Sequence, residues 1–182
     1  PLSDASSIRV IINMPFKPPM HKYFLENEAK LVQLAATLAR YIEKNSVIYL
    51  RGELGAGKTC FARGFIQALG HQGIVKSPTY TIVEEYRLLN HSVFHFDLYR
   101  LIDPEELEYL GIRDYKQADS ILLIEWPSRG QHFIPLPDLD VDIEYCEQGR
   151  GVQIRAMSTA GEQNLQKNNV LQALQPFAQN KS

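Results

Sequence analysis

The chain has 182 residues, of which 45% are apolar and 22% charged, a composition typical of one globular domain. Its formal net charge of −2 excludes a surface that binds nucleic acid or an anionic membrane through bulk positive charge. No apolar run approaches the roughly 20 residues that span a bilayer, and the first residues lack the layout of an export signal. We therefore expect a cytoplasmic protein, in which Cys60 and Cys146 are reduced, buried side chains.

The first regular elements form a helix, a strand and a second helix. Apolar residues recur at helical spacing between positions 27 and 41, which predicts an amphipathic helix packed on a sheet. Residues 47–51 form a short apolar run and predict a buried strand. A helix is predicted over residues 58–69, where Gly70 provides a C-terminal cap.

The middle of the chain predicts an antiparallel hairpin and a central strand. Residues 79–89 and 92–101 are rich in β-branched and aromatic side chains and are separated by a short turn. Segment 103–106 has the N-cap, first-turn proline and capping-box acid of a short helix that ends at Gly111. The continuous apolar run 121–124 predicts a strand buried on both faces. A parallel sheet with a hairpin added to it is a mixed sheet.

The chain divides into three parts. Three prolines between positions 15 and 19 oppose regular structure, so we expect residues 1–22 to form an N-terminal extension with little order. Residues 23–158 form the domain, which ends with strand-like alternation at 139–145 and 152–155. The tail, residues 159–182, is rich in Gln and Asn; both a loose helix and disorder remain open.

A phosphate-binding motif lies between the strand at 47–51 and the helix that follows it. The pattern G-x-x-x-x-G-K-[ST] is matched by Gly52, Glu53, Leu54, Gly55, Ala56, Gly57, Lys58 and Thr59. Its glycines permit a backbone that points N–H groups at phosphate oxygens, and the helix adds its positive end. Lys58 can then reach the β- and γ-phosphates, and the Thr59 hydroxyl can bind Mg²⁺. The fold predicted is α/β, a P-loop NTPase three-layer fold with a mixed sheet that includes the antiparallel hairpin.

Two acids follow apolar strands and are candidate catalytic and metal-binding residues. Glu125 follows residues 121–124, and Asp97 follows residues 93–96. Ligands of open α/β sheets bind at the carboxyl ends of strands, where one acid could hold the metal ion and the other could orient or deprotonate water. A helix cap or a solvated turn is the alternative for either acid taken alone.

A hydroxyl-rich segment, residues 77–81, follows the helix after the motif. Segments at this position sense the γ-phosphate in many nucleotide-binding proteins, but an ordinary turn at the start of a strand is the more frequent use of such residues. Four arginines are candidate cations for the site, although exposed arginines are usually only solvated: Arg87, Arg100, Arg113 and Arg129. His95 and Trp126 flank the two acids. The guanine-binding signal N-K-x-D is absent, which favours ATP over GTP.

These segments resemble the TsaE (YjeE) family in order and spacing. The resemblance covers residues 27–155, and its paired H-x-D-L-Y-R and E-W-P blocks are far more specific than the phosphate motif alone. The matching segments are residues 52–59, 77–80, 95–100, 110–111 and 124–127.

The resemblance implies a weak ATPase needed for threonylcarbamoyladenosine formation in tRNA. Family members bind a complex of TsaD, which transfers the threonylcarbamoyl group, with TsaB, and ATP hydrolysis is thought to reset that complex. The implied cofactors are ATP and Mg²⁺, and tRNA is involved only indirectly.

The family roles transfer to matching positions only. Lys58 and Thr59 would bind phosphate and magnesium, Thr79 or a neighbour would belong to a switch loop, and Trp126 would lie near the nucleotide. The acids Asp97 and Glu125 would serve the metal and hydrolysis. Cys60, which would also adjoin the nucleotide, replaces a common hydroxyl residue and is expected to make the site sensitive to thiol reagents.

Two other functions share the phosphate motif. A small-molecule kinase would need an acceptor pocket and a lid with several arginines, and no compact arginine cluster occurs in the sequence. A module that binds nucleotide without hydrolysing it is disfavoured because Lys58, Thr59, Asp97 and Glu125 are all present.

Overall fold

The computed structural model describes residues 19–178, and within them seven strands form one sheet. The strands are β1 (Met20–Leu25), β2 (Ser46–Arg51), β3 (Val83–Arg87), β4 (Ser92–Asp97), β5 (Ser120–Glu125), β6 (Leu139–Cys146) and β7 (Gly149–Ala156). Their order is β1-β7-β6-β2-β5-β4-β3. Strands β6, β2, β5 and β4 are parallel, while β7, β1 and β3 run antiparallel to their neighbours. The sheet is therefore mixed, as predicted.

Helices cover both faces of this sheet. They are α1 (Glu28–Ala39), α2 (Lys58–Ala68), α3 (Glu106–Tyr109), α4 (Thr159–Gln166) and α5 (Val170–Leu174). Helices α1, α2, α4 and α5 enclose the larger apolar core on one face, and α3 with its following turn encloses a smaller core on the other. These three layers confirm the predicted P-loop NTPase fold. No helix in residues 19–178 has the length and apolarity needed to cross a membrane.

Helix α1 supports the element that carries the phosphate motif. The Asn27 side chain caps it by accepting a hydrogen bond from Lys30 N at 3.0 Å. Its fully buried residues Leu31, Leu34 and Leu38 recur at helical spacing and face the larger core, against which α2 also packs. This packing fixes α2, and with it the loop that precedes α2, relative to the sheet.

The predicted hairpin is present, but its first strand begins at Val83 rather than at residue 79. The backbone N–H groups of Thr81 and Ile82 both donate to the carbonyl of Pro78, at 3.1 and 2.7 Å. Ile82 also has φ +67, a left-handed conformation that strand residues do not adopt. Residues 79–82 therefore form a turn, because their donors bond locally instead of to the sheet.

The two ends of the described chain pack against each other. Strand β1 starts at Met20, within the segment predicted as an extension, and pairs with β7 along its whole length. The extension with little order was predicted over residues 1–22; residues 20–22 instead belong to β1, and residues 1–18 lie outside the described residues. The tail forms helices rather than an irregular segment up to Phe177, and Leu165, Val170 and Leu174 are buried in the larger core. A bridge between Tyr23 and Ala178 joins the two ends.

Candidate functional site

The 52–59 loop connects β2 to α2 at the carboxyl edge of the parallel strands. Gly57 has φ +120, and a Cβ atom there would lie only 2.6 Å from Leu31 Cδ2, so a side chain would be both strained and obstructed. Helix α2 has no acid in its first turn and no side-chain cap. Its first N–H groups therefore lack a protein anion and can receive an external one.

The far end of the β6–β7 hairpin holds this loop in place. The Tyr145 hydroxyl donates to the carbonyl of Gly55, and Arg150 Nε donates to the carbonyl of Ala56 at 2.7 Å. Tyr145 and Arg150 face each other across the hairpin, with the guanidinium carbon 5.3 Å from the centre of the tyrosine ring. These two hydrogen bonds fix the loop through its carbonyl groups. Neither side chain uses a backbone N–H group of the loop in these bonds.

Sequence reasoning missed Tyr145 and Arg150. The available signal was the direction of β6: this strand is parallel to β2, so its carboxyl end reaches the same edge as the 52–59 loop. Polar residues at the end of β6 are therefore candidates for the site in the same way as those after β4 and β5. The alternation that predicted β6 contains no information on strand direction.

Lys58 lies beneath the loop with only 4% of its surface exposed. Its Nζ donates to the carbonyls of Gly52 and Glu53, at 2.7 and 2.8 Å, and lies 4.1 Å from the centre of the Trp126 ring. Burial lowers the pKa of Lys58, and the nearby acids, led by Glu125, partly oppose this effect. The Lys58 ammonium is thus bound by neutral carbonyls. A phosphate oxygen would be a stronger hydrogen-bond acceptor than these carbonyls because it is charged.

Glu125 is the most enclosed carboxylate of the site. The Thr59 hydroxyl donates to its Oε1 at 2.9 Å, and His95 Nε2 lies 2.8 Å from the same oxygen. Glu125 is 2% exposed and His95 is fully buried. One carboxylate oxygen therefore has two donors from two different elements, α2 and β4.

Asp97 is bound to the 77–81 loop. Its Oδ2 accepts a hydrogen bond from the Thr79 hydroxyl at 2.6 Å, and its Oδ1 accepts one from the backbone N–H of Tyr99 at 3.0 Å. The Ser77 hydroxyl lies 2.7 Å from that of Thr79. Asp97 therefore joins the 77–81 loop to the end of β4.

Strand register brings the two acids together. Asp97 of β4 is the register partner of Glu125 of β5, which is in turn the partner of Leu50 of β2, two residues before Gly52. The carboxyl ends of these three parallel strands meet at one edge, as the sequence predicted. Both acids, Thr59 and Lys58 line one cleft of about 490 Å³.

Most of the predicted site residues line this cleft. Those that do are Leu54, Gly55, Gly57, Lys58, Thr59, Cys60, Thr79, Asp97, Glu125 and Trp126. Gly52, Glu53 and Ala56 do not, although each contributes a carbonyl to the hydrogen bonds of Lys58 or Arg150. The cleft is also lined by Glu28 and Tyr99, which sequence reasoning missed.

Aromatic and basic side chains form the outer wall. Trp126 follows β5 in a left-handed conformation, φ +55, and its ring lies 4.9 Å from that of Tyr99. Arg100 is the predicted candidate arginine that lines the cleft; its guanidinium stacks on Tyr80 at 4.4 Å. The other three candidates, Arg87, Arg113 and Arg129, are exposed and do not line it.

The cysteine prediction was wrong for Cys146, which is exposed at the end of β6 because the hairpin projects there beyond the core. Cys60 is partly buried against the larger core. Burial and the adjacent Glu28 carboxylate raise the pKa of Cys60 to about 11.

The donor atoms of the cleft suit a hard cation beside phosphate. Residues 19–178 contain no group of three or more His, Cys, Asp or Glu side chains that could hold a metal ion without help. The cleft offers the Thr59 hydroxyl and the carboxylates of Glu125 and Asp97, all oxygen donors of the kind that Mg²⁺ prefers. Mg²⁺ usually completes its coordination with water and substrate phosphate, so this small set fits it.

Comparison with known proteins gives one consistent result. Residues 25–154 match the family model of the threonylcarbamoyl adenosine biosynthesis protein TsaE. The chain is 52% identical over 125 residues to the tRNA threonylcarbamoyladenosine biosynthesis protein TsaE of Haemophilus influenzae, which covers 69% of this chain and 79% of that protein. It is 35% identical over 123 residues to the Bacillus subtilis protein of the same name, covering 68% and 77%.

A solved structure has the same fold. The crystal structure of Bacillus subtilis YdiB superposes with a TM-score of 0.73 at 25% identity, covering 86% of this chain and 97% of that one. The matched region contains the 52–59 loop, both acids and the 77–81 loop. The chain therefore belongs to the TsaE family, whose role is in the biosynthesis of threonylcarbamoyladenosine in tRNA.

Proposed function

We propose that the protein is a weak, Mg²⁺-dependent ATPase that acts on a TsaD–TsaB complex during formation of threonylcarbamoyladenosine in tRNA. One observation carries the proposal: two carboxylates and a threonine hydroxyl meet in a cleft at the mouth of a glycine loop that leads into a helix. Such a set serves a nucleoside triphosphate better than it serves an uncharged ligand.

The triphosphate is bound by the 52–59 loop and the start of α2. The loop and helix supply backbone N–H groups, and Lys58 exchanges its carbonyl acceptors for charged phosphate oxygens. Trp126, stacked near Lys58 and Tyr99, offers an apolar surface beside the phosphates. The partial burial of this wall excludes water from the ammonium and strengthens its attraction for phosphate.

Thr59, Glu125 and Asp97 would hold Mg²⁺ in the cleft. When bound, the ion neutralises phosphate charge and supports departure of ADP. The two carboxylates have different roles. One orients the attacking water or accepts a proton from it, and the other contributes to the metal site. Glu125, with Thr59 already hydrogen-bonded to it, and Asp97, joined to the 77–81 loop, are both placed for these roles.

ATP hydrolysis by this protein serves to change the conformation of a partner protein. A net charge of −2 is unsuited to direct binding of tRNA, so in this proposal TsaD and TsaB bind the tRNA. The reaction takes place in the cytoplasm. The 77–81 loop, attached through Thr79 to Asp97, connects the cleft to the surface. Tyr80 within it is 81% exposed, as a contact residue for a partner would be.

The test is phosphate release from ATP with Mg²⁺, measured for the protein alone and with TsaD and TsaB. We expect slow release alone and a different rate with the complex, and cells depleted of the protein should lose threonylcarbamoyladenosine. Absence of phosphate release under both conditions would overturn the ATPase proposal. Transfer of phosphate to a small molecule instead of water would identify a kinase.

A further inference from the structure

His95 is a buried polar residue that the proposed chemistry does not use. It lies on β4 and is fully buried, and its ring nitrogen Nε2 lies 2.8 Å from Glu125 Oε1. Its second nitrogen, Nδ1, has no hydrogen-bond partner among the described residues. Buried polar atoms are nearly always paired in proteins, so a half-paired imidazole needs a reason.

Stability alone does not supply that reason. On the core side of His95, its neighbours Val93 on the same strand and Leu123 beside it in β5 are apolar and fully buried, while Asp97 and Glu125 continue the same face into the cleft. Alternation therefore favours an apolar residue at position 95, which would leave no polar atom unpaired. Local departures of this kind are expected where function overrides stability.

The hydrogen-bond partner fixes the tautomer of His95. A carboxylate oxygen only accepts hydrogen bonds, so the proton lies on Nε2, which donates it to Glu125. In the neutral imidazole Nδ1 then carries a lone pair, so the unpaired atom is an acceptor in that form. Glu125 Oε1 consequently receives two hydrogen bonds, from His95 and from the Thr59 hydroxyl.

We propose that His95 is a positioning residue, which through Glu125 holds the Thr59 hydroxyl with its oxygen lone pairs toward the cleft. The Thr59 proton points at Glu125, so the free lone pairs of Oγ1 are those that a cation would use. His95 restrains the carboxylate that keeps this proton in place. This role rests on the proposed Mg²⁺-dependent ATPase, and it matches the way outer residues orient metal ligands elsewhere.

Three substitutions separate positioning from packing. In His95→Gln the side-chain amide nitrogen can take the place of Nε2. In His95→Asn the side chain is too short for its amide nitrogen to reach Glu125. His95→Leu removes the donor. We expect Asn and Leu to lower kcat and the Mg²⁺-dependent gain in nucleotide affinity by about tenfold or more, and Gln to restore most of both. Binding of ATP without Mg²⁺ should stay within about twofold in all three, since Lys58 is untouched.

Two readouts do not depend on hydrolysis. Trp126 is the chain's single tryptophan and lies 4.1 Å from Lys58 Nζ, so its fluorescence reports nucleotide binding with and without Mg²⁺. Nitrogen NMR of the five histidines reports which ring nitrogen of His95 carries the proton. His91→Leu is the matched control, because His91 also has an unpaired buried nitrogen but lies in the β3–β4 turn, outside the cleft.

The outcomes are distinct from those that test the ATPase itself. Absence of a proton from Nε2 of His95, or wild-type kcat and Mg²⁺ dependence in both His95→Asn and His95→Leu, would overturn the positioning role. Loss of both quantities in Asn with recovery in Gln would support it, even if His95→Leu fails to fold. If the wild-type protein releases no phosphate, the proposed function fails, while the tautomer and the Mg²⁺-dependent affinity still decide the role of His95.

Discussion

Glu125 and Asp97 end neighbouring parallel strands, but their side chains are bound to different parts of the molecule. Glu125 is bound by Thr59 of α2 and by His95 of β4, both within regular elements. Asp97 is bound by Thr79 of the 77–81 loop and by the backbone of Tyr99. One acid therefore belongs to a rigid framework, and the other belongs to a surface segment.

The 77–81 loop is held to Asp97 by a charged hydrogen bond and is followed by a strained residue. Ile82, which ends the turn, has φ +67, and a left-handed conformation costs a β-branched residue about 1–2 kcal/mol. The Thr79–Asp97 hydrogen bond, with its charged acceptor, contributes about 1.5–3 kcal/mol. Thr59 and His95, which bind Glu125, are not left-handed, whereas Trp126, the residue after Glu125, has φ +55. We infer that Glu125 is the rigid acid of the hydrolytic site, and that Asp97, besides its part in that site, carries the nucleotide state to the 77–81 loop.

The largest effect is expected on the framework side, at Glu125. Glu125→Gln keeps the shape of the side chain but removes its charge, so kcat for hydrolysis should fall by about 100-fold or more. ATP affinity should change by only a few-fold, because Lys58 and the loop backbone remain. Single-turnover phosphate release and calorimetry measure the two quantities. Glu144→Gln, at an exposed acid of β6, is the control.

Wild-type hydrolysis in Glu125→Gln would contradict the division between the two acids. It would reduce Glu125 to a structural partner of Thr59 and His95, and Asp97 would then be the candidate for the chemical step.

Lys58 should show the next largest effect, on binding rather than on chemistry. Lys58→Ala removes a buried cation from the phosphate site, and we expect ATP affinity to fall by about 100-fold. Lys44→Ala, at an exposed lysine bonded to the carbonyl of Asn90, should have no effect. Calorimetry of folded variants measures both. Unchanged affinity in Lys58→Ala would mean that the phosphates bind elsewhere.

The lowered pKa of Lys58 adds a pH dependence. Burial favours the neutral amine, so this lysine loses its proton at a lower pH than an ordinary lysine of pKa 10.5. Phosphate binds the protonated form. ATP affinity in the wild-type protein should therefore decline as pH rises through this lowered pKa, and the decline should be absent from Lys58→Ala.

On the Asp97 side, the expected effect is on coupling to the partner. We expect the protein to bind a TsaD–TsaB complex about tenfold more tightly in ATP than in ADP, within the usual range of allosteric coupling. Linkage requires the complex to raise ATP affinity by the same factor relative to ADP. Thr79→Val removes the hydroxyl that joins the 77–81 loop to Asp97, so this ratio should shrink toward one while kcat changes little.

Thr81→Val is the matched control for Thr79→Val. Its hydroxyl belongs to the same loop but donates to Glu84, outside the cleft, at 2.9 Å. Calorimetry or pull-down in each nucleotide measures the ratio. Equal partner affinity in ATP and ADP for the wild-type protein would contradict a reporting role for the loop.

The same contrast explains what could be predicted from sequence. The 52–59 loop, Glu125 and Asp97 were predictable because each is encoded locally, as a motif or as an acid that ends an apolar run. The support from Arg150 was not, because it acts on Ala56 from 94 residues away and depends on the direction and pairing of two strands. The start of β3 was misplaced because the residue types at 79–82 favour a strand and do not reveal the backbone of Ile82.

The smallest functional effect is expected at Cys60, which lines the cleft but contacts its outer rim. The Arg63 guanidinium lies 3.7 Å from its Sγ, and Arg63 also pairs with Glu28, away from Lys58 and Thr59. Cys60→Ser should leave ATP affinity and kcat within about twofold.

With a pKa of about 11, the Cys60 thiol is only about one part in a thousand thiolate at pH 8, which opposes the predicted sensitivity to thiol reagents. Iodoacetamide should therefore label the exposed Cys146 first, and labelling of Cys60 should rise about tenfold per pH unit up to pH 10, because the reactive form is the deprotonated one. Peptide mass spectrometry measures both sites. Rapid labelling of Cys60 at pH 8 with loss of ATP binding would contradict this prediction, because it would show that the Cys60 thiol is reactive and that its position is needed for nucleotide binding.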